Sequence, residues 1–287
     1  MKGYLQKAYC FNQTMRIYAA ITTDIVKHAQ NTFNMWPTSI SAFGRALTIS
    51  AIMSCTYKSG EYLNIKINGD GPIGPITIEA TDGNVRGFVA NPGVFLQYAD
   101  GKLNVAQGVG NGTIEVIKDL HMRHPFSSSC EIISGEIAED FAYYFAKSEQ
   151  IPSSVGLGVA FDEEDQVKAA GGFLIQVMPG CKEEYIAKLE KKLLSMKSTT
   201  DMIEVGYTAE DIINEITDGD YNILETKELS YFCNCSKERF TKGLKSLGKD
   251  TINDILINDK KAEITCNFCN TKYEFSEDDL KEIVFDL

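Results

Sequence analysis

Two close pairs of cysteines, Cys233-x-Cys235 and Cys266-x-x-Cys269, stand thirty residues apart near the end of a 287-residue chain, and no other feature constrains its fold so strongly. Zinc binds four thiolates tetrahedrally, and a closed four-sulfur site is the usual structural form. The second pair lies in Thr265-Cys266-Asn267-Phe268-Cys269-Asn270-Thr271-Lys272, where Asn267 and Asn270 suit a tight turn. If residues 231–235 are extended, positions two apart share a face, and both sulfurs of the first pair point at one metal. Ser236 then caps a helix whose apolar face is Phe240, Leu244 and Leu247. The expectation is a small C-terminal unit over 230–287 with Cys233, Cys235, Cys266 and Cys269 as ligands of one zinc ion.

Size makes the metal decisive. A unit below about 70–80 residues rarely draws more than about 3–5 kcal/mol from its core, whereas structural zinc contributes an apparent ~10–16 kcal/mol in finger peptides. The same sulfurs are open to oxidation, in which a sulfenic acid condenses with a neighbouring thiol. Four sulfurs allow three pairings, and spacing does not choose among them. Bonds between sequence neighbours, Cys233–Cys235 and Cys266–Cys269, would close very short loops and could not replace a clip across the thirty-residue gap. With that pairing, oxidation unfolds the unit.

The rest of the composition is that of a globular protein, with 44% hydrophobic and 24% charged residues. The net charge of −12 is uneven: residues 1–180 hold 13 Lys/Arg against 17 Asp/Glu, and 181–287 hold 15 against 23. Such a field repels phosphate backbones, which argues against a nucleic-acid partner. No apolar run reaches the roughly 18 residues of a membrane helix, and Lys7 and Gln13 interrupt the N-terminus where a leader would be apolar. A cytoplasmic protein with no membrane partner is expected. Eight cysteines in a long chain of that kind point to metal or redox chemistry rather than a disulfide framework. Cys10, Cys55, Cys130 and Cys181 stand singly and are expected to behave as small core hydrophobes.

Periodicity predicts a strand over 14–21, a helix from Thr22 to about Phe33, and a second helix from Pro37 to about Tyr57. From Tyr62 the period becomes two, giving half-buried strands around 62–68 and 76–79, with further strands near 85–90, 102–107, 113–117 and 130–136. A helix near 138–147 and an apolar strand at 172–178 complete an α+β domain over 1–179, with a mostly antiparallel sheet. Beyond Pro179-Gly180, Tyr185, Ile186, Leu189 and Leu193 form an apolar helical stripe, and Thr208 with Asp211 opens another helix. Residues 201–220 carry seven acidic residues and no basic one, so 180–229 is expected to be a helical, acidic, marginally stable linker.

Other motifs carry little. Gly69-Asp70-Gly71-Pro72-Ile73-Gly74 matches a dinucleotide fingerprint, but Pro75 and a strand pattern follow where a helix is needed, so no nucleotide is expected. Gly108-Val109-Gly110-Asn111-Gly112 is read as a hairpin turn. His28, His121 and His124 assemble no hydrolytic constellation, and no catalytic residue is assigned. A zinc-ribbon regulator that binds nucleic acid through Lys237, Arg239, Lys242 and Lys245 is the alternative, opposed by Glu263, Glu274, Glu277, Asp278 and Asp279 in the same unit. An oxidoreductase would need its C-x-x-C at a helix start, and a zinc hydrolase an open ligand position.

The cysteine pattern resembles the heat-shock protein 33 family of redox-regulated holdase chaperones. So do Gly69-Asp70-Gly71-Pro72-Ile73-Gly74-Pro75, Gly135-Glu136-Ile137-Ala138-Glu139-Asp140, the run from Ser148 to Val159, Ala169-Ala170-Gly171-Gly172-Phe173-Leu174-Ile175-Gln176 and Ser246-Leu247-Gly248. The resemblance covers nearly the whole chain. It implies zinc on the four cysteines in a reduced, inactive state, and disulfides with zinc release in the active one; the neighbour pairs are the expected bonds. It also implies a linker that unfolds, a homodimer on activation, and ATP-independent capture of unfolding client proteins under oxidative stress. Residues Leu120–Ser129 depart from it in lacking glycines, which bears on the shape of that loop.

Overall fold

A computed structural model describes residues 2–286 and divides the chain into two compact units, one ending at Phe232 and one beginning at Cys233. In the first, β1 (Tyr4–Cys10) and β2 (Met15–Ile21) precede α1 (Thr23–Phe33) and α2 (Pro37–Ser54). Next come β3 (Tyr62–Gly69), β4 (Ile76–Thr81), β5 (Asn84–Val89), α3 (Val105–Val109), β6 (Gly112–Asp119) and β7 (Phe126–Glu131). Helix α4 (Ala138–Tyr144) runs into a π-helical turn at Phe145–Glu149, followed by β8 (Ser153–Phe161) and β9 (Val167–Val177). Helices α5 (Glu183–Ser195), α6 (Thr199–Glu204) and α7 (Ala209–Thr217) then lead to β10 (Tyr221–Glu228) and the short β11 (Ser230–Tyr231).

The strands form two sheets, β10-β1-β2-β9-β8 and β11-β5-β4-β3-β6-β7, antiparallel throughout except where β11 joins β5. Helix α2 lies in the principal core, and apart from Arg45 its residues are all buried. A helix apolar all round is stable only when wrapped on every side. Ile65, Ile67, Ile76, Ile78 and Val116 of the second sheet share that core with Tyr18, Ala20, Val159 and Leu174 of the first. The first sheet is covered on both faces. Along β2, Tyr18 and Ala20 enter the core with α2, while Ile17 and Ala19 enter a second core with Leu189, Met202, Ile203, Ile212, Ile213 and Ile216 from α5, α6 and α7. The period-two geometry of a strand sends alternate residues to these two cores.

Several elements depart from the sequence reading. Residues 102–107 are not a strand: Leu103 makes one isolated bridge to Gln97, and Asn104 caps the short α3 by accepting from the Gln107 amide at 2.9 Å. The strand expected at 130–136 lies at 126–131. Gly108–Gly112 joins α3 to β6 and is no hairpin turn. The 180–229 segment is not helical throughout, since Tyr221–Glu228 is a strand, and α5–α7 pack on the first sheet. The glycines of the false dinucleotide motif serve close packing: a Cβ on Gly69 would fall 1.9 Å from the Val109 carbonyl oxygen, and Asp70 accepts the Asn111 amide at 2.7 Å.

The second unit contains α8 (Lys237–Lys245), α9 (Lys249–Asn258), the hairpin β12 (Ala262–Thr265) and β13 (Lys272–Phe275), and α10 (Glu277–Phe285). Among its described residues the buried core is Leu244, Ile252, Phe275, Leu280 and Ile283, which is little for independent stability. Ser236 caps α8, accepting from the Arg239 amide at 3.2 Å, and Ser276 with Asp279 forms a reciprocal cap on α10. Leu247 is 53% exposed, so the apolar face of α8 ends at Leu244.

Candidate metal centre

The β12–β13 hairpin folds back tightly at the second cysteine pair. Asn270 donates its amide to the Cys266 carbonyl at 2.8 Å while holding φ at 58°, a left-handed conformation that asparagine tolerates better than most residues. The Cys266 amide in turn reaches the Thr271 carbonyl at 2.9 Å. Opposite the hairpin, the chain from Cys233 to Cys235 runs without regular secondary structure into the α8 cap, and Arg239 holds Asn234 between the two cysteines by a 3.0 Å hydrogen bond. These local structures bring all four sulfurs to within 4.8 Å of one another. Cys233 Sγ lies 3.7 Å from Cys266 Sγ, and Cys235 Sγ lies 3.3 Å from Cys269 Sγ.

A tetrahedral site with zinc–sulfur bonds of about 2.3 Å places its sulfurs roughly 3.8 Å apart. The cluster is close to that spacing, and four soft donors suit zinc or another thiophilic metal ion. A site of this kind has no vacant ligand position for substrate. Burial pushes the Cys266 thiol up to about 12. Burial also raises Cys235, against which the Tyr273 hydroxyl works from 3.1 Å. Cys269 is drawn down to about 7: burial opposes this, but the Thr271 hydroxyl at 3.2 Å and the Thr271 amide outweigh it, aided by the neighbouring thiols. The cluster thus sets one readily ionised sulfur, Cys269, beside Cys266 and Cys235, whose thiols burial holds more firmly protonated.

Tyr273 and Thr271 were not singled out in the sequence. Their signal was closeness in sequence to Cys269: Thr271 follows directly on the turn, and Tyr273 stands on β13 just beyond it. Tyr273 is held by the Phe240 ring, 5.0 Å away.

The other cysteines lie outside the cluster. Cys10 and Cys130 are buried, and burial raises them to about 12 and about 11; burial likewise raises Cys55 to about 11. Cys181 is half-buried beside the Thr14 hydroxyl at 3.2 Å. His28 stands 4.9 Å from the Tyr231 ring, while His121 and His124 are exposed. The basic face considered for nucleic acid is partly neutralised, because Lys237 pairs with Asp279 and Lys245 with Asp286.

Among the described residues no helix is long and apolar enough to cross a membrane. The family model described as Hsp33 protein matches residues 3–276. The 33 kDa chaperonin of Bacillus cytotoxicus is 46% identical over 289 aligned positions, which cover 99% of both chains. The protein of the same name from Acholeplasma laidlawii is 43% identical, again over 99% of both. The crystal structure of the 33 kDa chaperonin (heat shock protein 33 homolog) from Thermotoga maritima superposes with a TM-score of 0.93 at 32% identity, covering 100% of this chain and 99% of that one. With its α+β architecture, its C-terminal cysteine cluster and these relatives, the chain belongs to the Hsp33 family of chaperones.

Proposed function

We propose that the protein is a redox-regulated, ATP-independent holdase of the cytoplasm, silent while Cys233, Cys235, Cys266 and Cys269 hold one zinc ion and active once they are oxidised. Zinc bound there would join the chain before α8 to the β12–β13 hairpin and keep the sulfurs as thiolates. The observation that carries this reading is the meeting of two distant cysteine pairs within 4.8 Å, in a unit whose buried core is so small. Peroxide removes two electrons from each thiol pair, forms one disulfide and leaves as water, while zinc is released. Bonds Cys233–Cys235 and Cys266–Cys269 would leave the distant segments unjoined, so the unit loses its support.

The acidic segment 180–229 then comes away from the first sheet. Its departure uncovers Ile17, Ala19, Phe173 and Ile175, now buried beneath α5–α7, as an apolar face for unfolding clients. Two activated copies associate as a homodimer. No turnover, nucleotide or nucleic acid is involved.

The test follows aggregation of a thermally unfolding reporter by light scattering, with reduced and peroxide-treated protein, while a chelating dye reports zinc. Suppression of scattering together with zinc release, in the oxidised sample alone, is the expected result. Oxidation that frees no zinc and leaves aggregation unchanged overturns the proposal, and salt-sensitive binding to DNA or RNA would favour a nucleic-acid regulator.

A further inference from the structure

Both sheets of the first unit end on strands drawn from one short stretch of chain, residues 221–231. Strand β10 covers β1 along its whole length, from Tyr4 opposite Glu228 to Cys10 opposite Tyr221. Strand β11 covers β5, with Ser230 opposite Asn84 and Tyr231 opposite Val85. The Ser230 amide donates to the Gly83 carbonyl at 3.1 Å and the Phe232 amide to the Val85 carbonyl at 3.0 Å. At the next edge position a side chain takes over. The Tyr231 hydroxyl donates to the Gly87 carbonyl at 2.8 Å and accepts from the Gly87 amide at 3.2 Å, standing in for a ladder partner.

Beyond its backbone bonds the cover is held by polar side chains, among them the ion pairs Lys227–Asp82 and Lys2–Glu228 and the Ser230–Asn84 hydrogen bond, with little buried apolar surface. In residues 221–232 only Leu229 is buried, at 1% exposure, while Leu224 is 43% and Phe232 58% exposed. The strands beneath it are anchored differently: Leu5 and Ala8 of β1 and Val85 of β5 are buried in the cores. The cover can leave at small cost to the core, and the edges it exposes stay formed. An open strand edge is a row of unpaired amides and carbonyls that recruits any extended chain.

We infer that the edges of β1 and β5 are client-docking sites: once residues 221–231 lift away, an extended segment of an unfolding polypeptide adds to each edge as a new strand. The inference rests on the proposed redox release of the segment upstream of Cys233. The occupant is indicated by the cover itself, an extended stretch that supplies main-chain bonds and alternate apolar residues such as Tyr221 and Ile223. Strand addition reads backbone first and side chains second. Unfolding proteins of unrelated sequence share that backbone, so the edges give a holdase its breadth.

Hydrogen exchange on the full chain tests this, with reduced carboxymethylated α-lactalbumin, a permanently unfolded polypeptide, as the probe. Oxidation is expected to remove protection from those amides of β1 and β5 that face the cover, Gly87 among them, and the probe to restore it, while the amides bonded to β2 and β4 stay protected. A synthetic peptide with the sequence of residues 221–231 should compete with the probe, and its backbone N-methylated version should not. Light scattering and zinc release are read on the same preparation. If the oxidised protein releases zinc and suppresses aggregation while the cover-facing amides stay protected, or stay unprotected with the probe bound, the edge sites are overturned and the redox holdase stands. Protection regained without the probe, and rising with protein concentration, assigns the edges to a second copy and also overturns the inference. If oxidation frees no zinc and aggregation continues, it is the proposed function that fails.

Discussion

The Tyr273 hydroxyl donates a 3.1 Å hydrogen bond to the Cys235 sulfur. A phenol in that position favours the thiolate and orients it toward its three companions. Groups that support metal ligands in this way typically change affinity by about 10–100-fold when removed. Tyr273→Phe keeps the ring against Phe240 and loses only the hydroxyl. Zinc affinity measured against a competing chelator should fall by about tenfold or more with the fold intact, and an unchanged affinity would show that the hydroxyl does not support the ligand.

Acid should loosen the metal. Burial holds Cys266 protonated at neutral pH, with a pKa of about 12, and raises Cys235 as well. Both protons must depart when a metal binds, so affinity rises with pH and falls as pH falls. At least these two protons are displaced, which corresponds to a loss of affinity of about a hundredfold or more for each pH unit downward near neutrality. A titration of zinc binding across that range measures the slope, and a flat profile contradicts the assignment.

Removing zinc from the reduced protein should unfold the second unit and leave the first folded. Trp36, the single tryptophan of the chain, lies in the first unit, and Tyr273 is the only tyrosine beyond Phe232. Trp36 fluorescence should therefore stay constant on chelation while the Tyr273 NMR resonances collapse to unfolded positions. Retained Tyr273 dispersion would mean that the five-residue core suffices on its own.

Alkylation of the zinc-free, reduced protein should begin at Cys233, Cys235, Cys266 and Cys269, which chelation leaves accessible in an unfolded unit. Cys10, Cys55 and Cys130, raised by burial to between about 11 and about 12, should resist until the first unit unfolds. Mass spectrometry of iodoacetamide-treated protein at neutral pH gives the order of labelling.

Asp140 is a fold determinant with no part in the metal site. Its buried carboxylate accepts the amides of Ile133, Ser134, Gly135 and Ile137, and the last of these holds Ile137 at φ 68°, unusual for a β-branched residue. Asp140→Asn turns an NH2 group toward at least one of these donors and should cost about 2–3 kcal/mol. A lower denaturation midpoint at unchanged slope would register it.

What the sequence disclosed depended on how local the signal was. Strands β3 and β4 were plain because one face is buried and the other wet, and the α7 start was plain because Thr208 and Asp211 complete a cap within four residues. Strands β1, β8 and β10 were missed. Their apolar positions are interrupted by Gln6 and Lys7, by Gly156 and Gly158, and by the largely exposed face of β10, and only distant partners make them strands. In 102–107 an apparent alternation hid a helical turn set by the Asn104 cap. The cysteine pairs were legible as one cluster because metal chemistry prescribes number and spacing. The supporting Tyr273 and Thr271 were not, since nothing but the turn of the hairpin places them against the sulfurs.

The pairing of β1 with β10 also sets an order of events during synthesis. Lys2 and its ion-pair partner Glu228 are 226 residues apart, so the first strand made waits for nearly the last of its unit. Contacts between such remote segments form slowly. A ribosome-bound chain that has not yet reached Glu228 therefore carries an open edge at its own beginning, and the nascent protein passes through the hazard from which the finished one protects others.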